Sequence, residues 1–592
     1  MGISTAPQLR QTYLIWKRFE MPIEGGTRDA IAVKSYVANQ LNSAYTLMIT
    51  SMVMNLWCIL FALAFYYMLQ RDRHHHISTS LWNKRASLTD SLFEVLQPST
   101  KGHWRQWWVY PVLFVILFCW IAQNVLSIIV PPYIIIGNAA PVNPAAVLAP
   151  RNSGLPPAEL ARVSASEAPM ALRAAGSAQV ASTNTQSKVF VGATTLGTNS
   201  DGETISRVDY RYTVSGADMG LQQYPTLLLE VAGACTTEYG WLLNSTRSAG
   251  YTNDTYARFG DPRLGVTSLS PFDGPAPVAL LYNGPKPNGP PGNMTWAAFI
   301  SSVDRLSYTT GSDPIYRTAD VAGLGGTRHA VRPRRPALSC WQTDTWWYEG
   351  RSSTILGLNN TALPGLDLSP GLQLILVRYL GTPRIVSIGR LLGLSALVSS
   401  TTSIGNIFDA ESSSALSDLR RLVLSAYIAT TNTLTDLTLY PEDAPGRDNG
   451  TANLAIDESG NIKPGVADFV VWSPDITTLS VKAIIIIPVL SLVFWILALS
   501  LLRWSPLRSV NALDATVLHK TLVDEHGAQP NKRGTWEGMY SFQCKMIVAA
   551  NVLPVNRAPK DEEARGLSPD GSTSMVKQVA TNEVRETPKD EI

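Results

Sequence analysis

The sequence predicts a membrane protein with three transmembrane α-helices plus a large α+β extracytoplasmic domain held by one disulfide. Three observations lead there: three long stretches without charge, a polar region of more than three hundred residues between the second and third, and the placement of sequons and cysteines within that region. The chain has 592 residues, too many for one compact domain, and only 16% of them are charged, against about 25% in soluble proteins. The net charge of +2 gives no whole-chain balance suited to nucleic acid.

Thr46–Leu69, Gln106–Pro150 and Ala483–Leu502 contain no Asp, Glu, Lys or Arg. A hydrocarbon core about 30 Å thick takes about 20 helical residues. The first and third stretches fit that length, and in the second the apolar run covers 107–136 with Pro131-Pro132 at its exit. One ion near mid-membrane costs roughly 2.5–3.5 kcal/mol on insertion scales, so three charge-free stretches are selective. Trp104, Trp107, Trp108 and Tyr110 crowd the start of the second span, Tyr66 and Tyr67 end the first, and Arg503-Trp504 closes the third, as interfacial belts require. The first 43 residues lack an apolar signal core, so the first span is expected to act as its own insertion signal.

The expected organisation is an extracytoplasmic tail over 1–43, with helical stretches such as Ala30–Gln40, and spans at 44–69, 107–136 and 483–502. A cytoplasmic loop takes 70–106, an Ala/Pro/Ser-rich linker 137–187, the glycosylated domain 188–470 and a juxtamembrane segment 471–482. The cytoplasmic tail, 503–592, carries a helical pattern at 512–525 and is expected to be largely disordered after 557. Orientation follows from Arg71, Arg73, Lys84, Arg85, Lys101 and Arg105 in the short loop and Arg503, Arg508 and Lys520 after the third span, which the positive-inside rule places in the cytoplasm. Five sequons, at Asn244, Asn253, Asn293, Asn359 and Asn449, all fall between the second and third spans. Of five cysteines only Cys235 and Cys340 lie there, so one disulfide is expected in an oxidising compartment, with two separate thiols as the alternative.

Within the domain, Val208, Tyr210, Tyr212 and Val214 alternate with polar residues as in a half-buried strand. Residues 224–234, 278–282 and 337–348 read as further strands, the first delivering Cys235 and the last containing Cys340. Leu416, Leu419, Val423 and Tyr427 mark a helix over 412–430, and 294–306 and 385–399 carry weaker helical patterns. Pro285 to Gly292, PKPNGPPG, is loop.

Chemistry is sparse. His329 is the one histidine between the spans, which argues against a zinc hydrolase or a Ser/His/Asp site, and it reads as a solvated loop residue. His74–His76 read as interfacial polar filler, Gly323, Gly325 and Gly326 as a flexible loop, and the arginines of RPRRP (Arg332, Arg334, Arg335) as surface. Ser568-Pro569 and Thr587-Pro588 fit ordinary disordered composition. Glu230, Asp344 and Glu349, with Trp341, Trp346, Trp347 and Tyr348, suit a glycan site built on paired carboxylates, but a strand packing aromatics beside a disulfide explains the same residues and is preferred. Asn55 in the first span and Gln123 or Asn124 in the second lie at depths differing by about 6 Å, which allows an interhelical polar contact. The spans contain no ionisable Asp, Glu, Lys, Arg or His, which weighs against a pump or transporter.

SCWQTDTWWYEG (339–350) and ACTTEYGWL (234–242) together resemble large uncharacterised multi-span membrane glycoproteins of filamentous ascomycete fungi, where a Cys-Trp-Gln step sits late in a glycosylated loop before the last span. The resemblance implies a fungal source and the three-span layout, and it carries over no activity and no catalytic residue. The expectation is a non-enzymatic glycoprotein, at the plasma membrane rather than an endomembrane, whose outer domain binds a ligand such as a glycan, a wall component or a partner protein. No cofactor, metal or nucleic acid is expected. The alternatives are a membrane-anchored, carboxylate-dependent glycan-active enzyme and an accessory subunit of a transport, secretory or biosynthetic system.

Overall fold

The computed structural model describes residues 12–70, 87–96, 109–151, 155–248, 251–269, 277–286, 294–302, 304–321, 328–403, 407–441, 444, 446 and 452–503. Asn293, Asn449, His74–His76, the glycines at 323–326, Trp504 and the whole C-terminal tail lie outside these residues. Two compact units divide the chain, Met1–Leu56 with Phe118–Ile496, and Trp57–Leu117 with Leu497–Ile592.

Among the described residues, three helices are long and apolar enough to cross a membrane: Ser35–Leu63, Leu113–Ile134 and Val481–Leu501. They belong to α1 (Ser35–Gln70), α3 (Val109–Ile134) and α8 (Val481–Arg503). No more than 33% of any of these segments is buried by protein, and Phe114, Phe118, Ile128, Ile485 and Trp495 are exposed. A helix apolar on all sides and left uncovered finds its favourable environment in lipid. Between α1 and α3 the smaller unit contains α2 (Leu88–Leu96), started by the Ser87 hydroxyl, which accepts from the Asp90 N–H at 3.2 Å.

The start of α1, the end of α3 and the start of α8 meet at one sheet. A four-stranded antiparallel sheet has the order β1 (Arg18–Ile23), β2 (Gly26–Lys34), β20 (Ile476–Ser480), β3 (Ile135–Gly137). β2 runs directly into α1, α3 directly into β3, and β20 directly into α8. Ser35 secures the first junction, its N–H donating to Asp475 O at 2.9 Å and its hydroxyl to Pro474 O at 3.1 Å. Below the sheet, Tyr45 of α1 donates to Ile484 O of α8 at 3.2 Å, and Val33, Ile49, Ile134, Leu479 and Ile487 form a common apolar cluster. The helix expected at Ala30–Gln40 is therefore strand up to Lys34 and helix from Ser35. Ala30, Ala32 and Val33 are buried where β2 pairs with β20, and this tertiary pairing overrides local helix propensity.

The large domain is built on a seven-stranded antiparallel sheet, ordered β11 (Val278–Asn283), β12 (Met294–Ser301), β16 (Ala337–Tyr348), β7 (Leu228–Glu238), β6 (Thr204–Ser215), β5 (Val189–Thr198), with β17 (Arg351–Ser353) folded back on β16. Val208, Tyr210, Tyr212 and Val214 are buried on one face, as their alternation predicts. The segment 294–306 is strand β12 and loop rather than helix. β12 is a central strand buried on both faces, so it shows a continuous apolar run instead of alternation.

The helices α4 (Pro157–Gln179), α5 (Pro370–Leu380), α6 (Arg384–Leu392) and α7 (Ala415–Thr431) contribute to the same core as that face. The expected helix at 385–399 is interrupted at Gly393, whose φ of +54° ends α6. α4 lies inside the expected linker and is a core element. Its Met170, Ala171, Ala174, Ala175 and Ala178 are buried, Glu167 pairs with Arg378 of α5 at 3.0 Å, and Arg173 pairs with Asp436 at 2.7 Å. Alanine is the strongest helix former and allows close packing, but it contributes little to an apolar stripe, so the sequence resembles a spacer. β4 (Ala139–Pro141), paired with β19 (Val470–Trp472), extends order on either side of that helix.

A three-stranded sheet, β8 (Leu242–Ser248), β9 (Tyr251–Ala257) and β10 (Val266–Leu269), covers the other face of the large sheet at β11–β12. Trp241, Tyr256, Phe259 and Leu269 pack there on Ala297 and Phe299. Arg335, expected on the surface, is buried beneath this layer. Its side chain is 3% exposed, its Nη2 meets Asp254 Oδ2 (1% exposed side chain) at 3.0 Å, and its Nη1 donates to Ile300 O and to Ser302 Oγ. A fourth sheet joins β14 (Thr318–Val321), β15 (Arg328–Val331), β13 (Leu306–Ser307) and β18 (Ile407–Phe408).

Candidate functional site

Cys235 and Cys340 are bonded, and they stand directly opposite one another on β7 and β16 with Cα atoms 4.0 Å apart. The link closes 105 residues, worth nominally about 4.7 kcal/mol if its whole effect is lost chain entropy. It also fixes the register of β16, and that register sorts the candidate side chains into two sets.

Residues in step with Cys340 face the helices. Gln342 and Trp346 are therefore buried and Asp344 half-buried on that side, opposite Gly233, Val231 and Leu229. Tyr210 lies across Gly233, where a Cβ would fall 2.4 Å from its ring, and its hydroxyl donates to Gln342 Oε1 at 2.9 Å. Gln342 Nε2 in turn donates to Asp344 Oδ1 at 2.7 Å. Burial pushes the Asp344 carboxyl up to about 7, against the opposing effect of that hydrogen bond. A second buried carboxyl, Asp418 of α7, accepts from Tyr316 and from Ser399, and burial raises it to about 6.

Residues out of step with Cys340 face away from the helices. Trp341, Thr343, Thr345 and Trp347 lie there with Glu230, which is opposite Thr345. Trp347 Nε1 donates to Glu230 Oε2 at 3.2 Å, and Arg211 Nε lies 3.4 Å from Glu230 Oε1. One row across the sheet runs Gly192, Asp209, Ala234, Trp341, and the next runs Phe190, Arg211, Ala232, Thr343. The small residues leave a low floor between Trp341 on one side and Phe190 and Arg211 on the other. The result is a cleft of about 510 Å³ whose lining also includes Lys188, Asp209 and Thr213. Phe190 is 63% exposed, although it is a large apolar ring. Aromatic faces flanked by carboxylate, guanidinium and hydroxyl groups suit a ligand that is both ring-shaped and rich in hydroxyls.

Glu230 and Asp344 are therefore separated by the sheet. Two carboxylates acting on one glycosidic bond must flank it, about 5–9.5 Å apart. Glu349 sits in the β16–β17 turn, at φ +45°. His329, expected in a solvated loop, is on β15 opposite Asp320 of β14, and its Nδ1 lies 2.8 Å from the Asp320 carboxylate. Among the described residues no three His, Cys, Asp or Glu side chains group as a metal site.

Of the sequons, Asn244 and Asn359 are exposed, and Asn359 Oδ1 caps the N–H groups of Thr361 and Ala362. Asn253 is half-buried, with its side-chain oxygen enclosed. Asn55 and Asn124 bond within their own helices, Asn55 Nδ2 donating to Ser51 Oγ at 3.4 Å and Asn124 Nδ2 to Trp120 O at 2.8 Å.

A family model described as "Domain of unknown function (DUF8406)" matches residues 168–471, from within α4 to β19, just over half of the chain. No curated protein and no solved structure matches. The chain belongs to the DUF8406 family.

Proposed function

We propose that this member of the DUF8406 family is a multi-pass glycoprotein of the plasma membrane whose large domain lies outside the cytoplasm and holds a glycan without cleaving it. The cleft on the open sheet face carries the proposal, because Trp341, Phe190, Asp209 and Arg211 line a shallow, solvated groove and Trp347 and Glu230 lie on the same face. The resemblance to fungal membrane glycoproteins makes a wall polysaccharide the first ligand to test. The separation of Glu230 and Asp344 by the sheet favours holding over hydrolysis.

The junctions with the spans support the orientation. The start of α1, the end of α3 and the start of α8 all continue strands of one sheet, so residues 12–34 and 135–480 belong on one side of a bilayer. The basic loop 70–106 then lies on the opposite, cytoplasmic side. Short strand-to-helix junctions without linkers also give a direct mechanical route from the bound domain to the spans.

The test is binding of full-length protein in nanodiscs to soluble β-glucan and chitin oligosaccharides. Binding by the wild type and a loss of roughly tenfold or more in Trp341→Ala, the size expected for an aromatic contact at the centre of a site, would support the proposal. Oligosaccharide hydrolysis, or binding unaffected by Trp341→Ala, would contradict it.

A further inference from the structure

A second cleft, independent of the glycan reading, opens on the other face of the same edge strand. It has a volume of about 490 Å³ and lies between β5, the end of α4 and the first turns of α7. Its floor is apolar, formed by Val189, Val191, Val398, Leu416 and Leu424, and two consecutive arginines of α7, Arg420 and Arg421, join its lining. The volume is within the range of small-molecule sites, about 300–1,000 Å³.

The charge of this cleft is one-sided. No Asp or Glu lines it, and among the described residues neither arginine has a carboxylate within ion-pair distance. Arg421 Nη1 donates to Thr401 Oγ1 at 3.1 Å, while its Nε is enclosed without an acceptor. Asp418, whose charge acts on Arg421, is buried and engaged by Tyr316 and Ser399. An enclosed guanidinium donor without an acceptor is costly, and adjacent guanidiniums repel one another. A carboxylate or phosphate would offset the repulsion, since it carries the opposite charge and can accept from two N–H groups at once. The Val and Leu floor would gain from contact with an apolar body.

We infer that this cleft binds a small amphiphile, with its carboxylate or phosphate head on Arg420 and Arg421 and its apolar body on Val189, Val191, Leu416 and Leu424. The hydroxyls of Thr401 and Thr402 already donate to Val398 O and Ser399 O, so the arginines supply the donors for the head group. A neutral sugar or a cation would leave the guanidiniums unanswered.

The test uses full-length protein in nanodiscs of neutral lipid, with phenylglyoxal modification of individual arginines read by peptide mass spectrometry. Octanoate and octyl phosphate should protect Arg420 and Arg421 while leaving Arg211, in the other cleft, reactive. Octanol should require roughly tenfold higher concentration, the penalty for losing charge-assisted hydrogen bonds. Val191→Trp, which fills the floor but keeps both arginines, should abolish protection while the Cys235–Cys340 bond still forms. Protection on adding anionic lipid to the disc, without octanoate, would identify a membrane lipid as the source, and protection by soluble octanoate alone a free amphiphile. Octanol protecting as well as octanoate, undiminished protection in Val191→Trp, or no protection by any of these anions would overturn the assignment.

Discussion

Glu230 and Asp344 lie on neighbouring strands, and Asp344 is paired with Val231, the residue after Glu230, yet their side chains point to opposite faces of the sheet. One step along a strand reverses the side, so proximity in register separates these carboxylates instead of joining them. Glu230 is tied to Trp347 and Arg211 on the open face, while Asp344 is held by Gln342 on the helix-covered face.

The buried carboxyl gives the domain a pH dependence. The Asp344 pKa in the folded chain is about 7, above the unfolded value of about 3.9, so between these values the folded state keeps a proton that the unfolded state has lost. The contribution of this group to stability is therefore greatest below about pH 4 and is lost as pH rises toward 7. Asp418, at about 6, acts in the same direction. Asp344→Asn, which stays neutral, should flatten the decline in apparent Tm between pH 5 and pH 8, as measured by scanning the protein in nanodiscs at each pH. Parallel profiles for wild type and variant would show that Asp344 does not titrate in this range.

The disulfide is expected to stabilise the large domain by about 2–4 kcal/mol. The Cys235→Ala/Cys340→Ala double variant should lower the denaturant midpoint, reported by Trp fluorescence, and wild type under reducing conditions should move toward it. Unchanged midpoints would mean that the β7–β16 pairing is sufficient without the covalent link.

Asp254 and Arg335 are both almost fully buried, so removing one partner leaves an uncompensated charge. Arg335→Met should cost about 3–5 kcal/mol, and Asp254→Asn/Arg335→Met markedly less, because the orphaned carboxylate is then gone. Denaturant midpoints of the two variants measure this. Equal costs would place the arginine's value in its bonds to Ile300 and Ser302 instead of in the ion pair.

The sequons should divide by exposure. Asn244 and Asn359 are expected to carry glycans and Asn253 to remain largely unmodified, because its side chain is half enclosed against the sheet. Site-specific mass spectrometry after enzymatic deglycosylation reads this directly, and full occupancy at Asn253 would mean that β9 is accessible when the glycan is attached.

The parts of this fold legible in the sequence were those governed by local rules. Charge-free length marked the spans, period-two alternation marked β6, and β16 was found to its last residue because aromatic and β-branched residues fill it. The elements that escaped detection depend on distant partners. β2 needs β20, more than four hundred residues away, to be a strand, and α4 needs α6 and α7 to bury its alanines. Arg335 looked like surface because a proline-flanked basic run normally is, and only Asp254, eighty-one residues earlier, makes its burial possible. Trp341, Trp347, Glu230 and Asp344 stood out in the sequence, but Phe190, Asp209 and Arg211 did not, because only the pairing of β5, β6, β7 and β16 brings them to one face and divides Glu230 from Asp344. The arginine-lined cleft had no signal of its own, because its lining comes from four separated segments.

Whether residues 135–480 face away from the cytoplasm is decided most directly by endoglycosidase treatment of the full-length protein from native membranes. The expected result is a fall in apparent mass that is abolished when Asn244, Asn253, Asn293, Asn359 and Asn449 are replaced together by Gln. An unchanged mass, with Asn244 and Asn359 unmodified in every recovered peptide, would contradict the orientation and with it the external ligand.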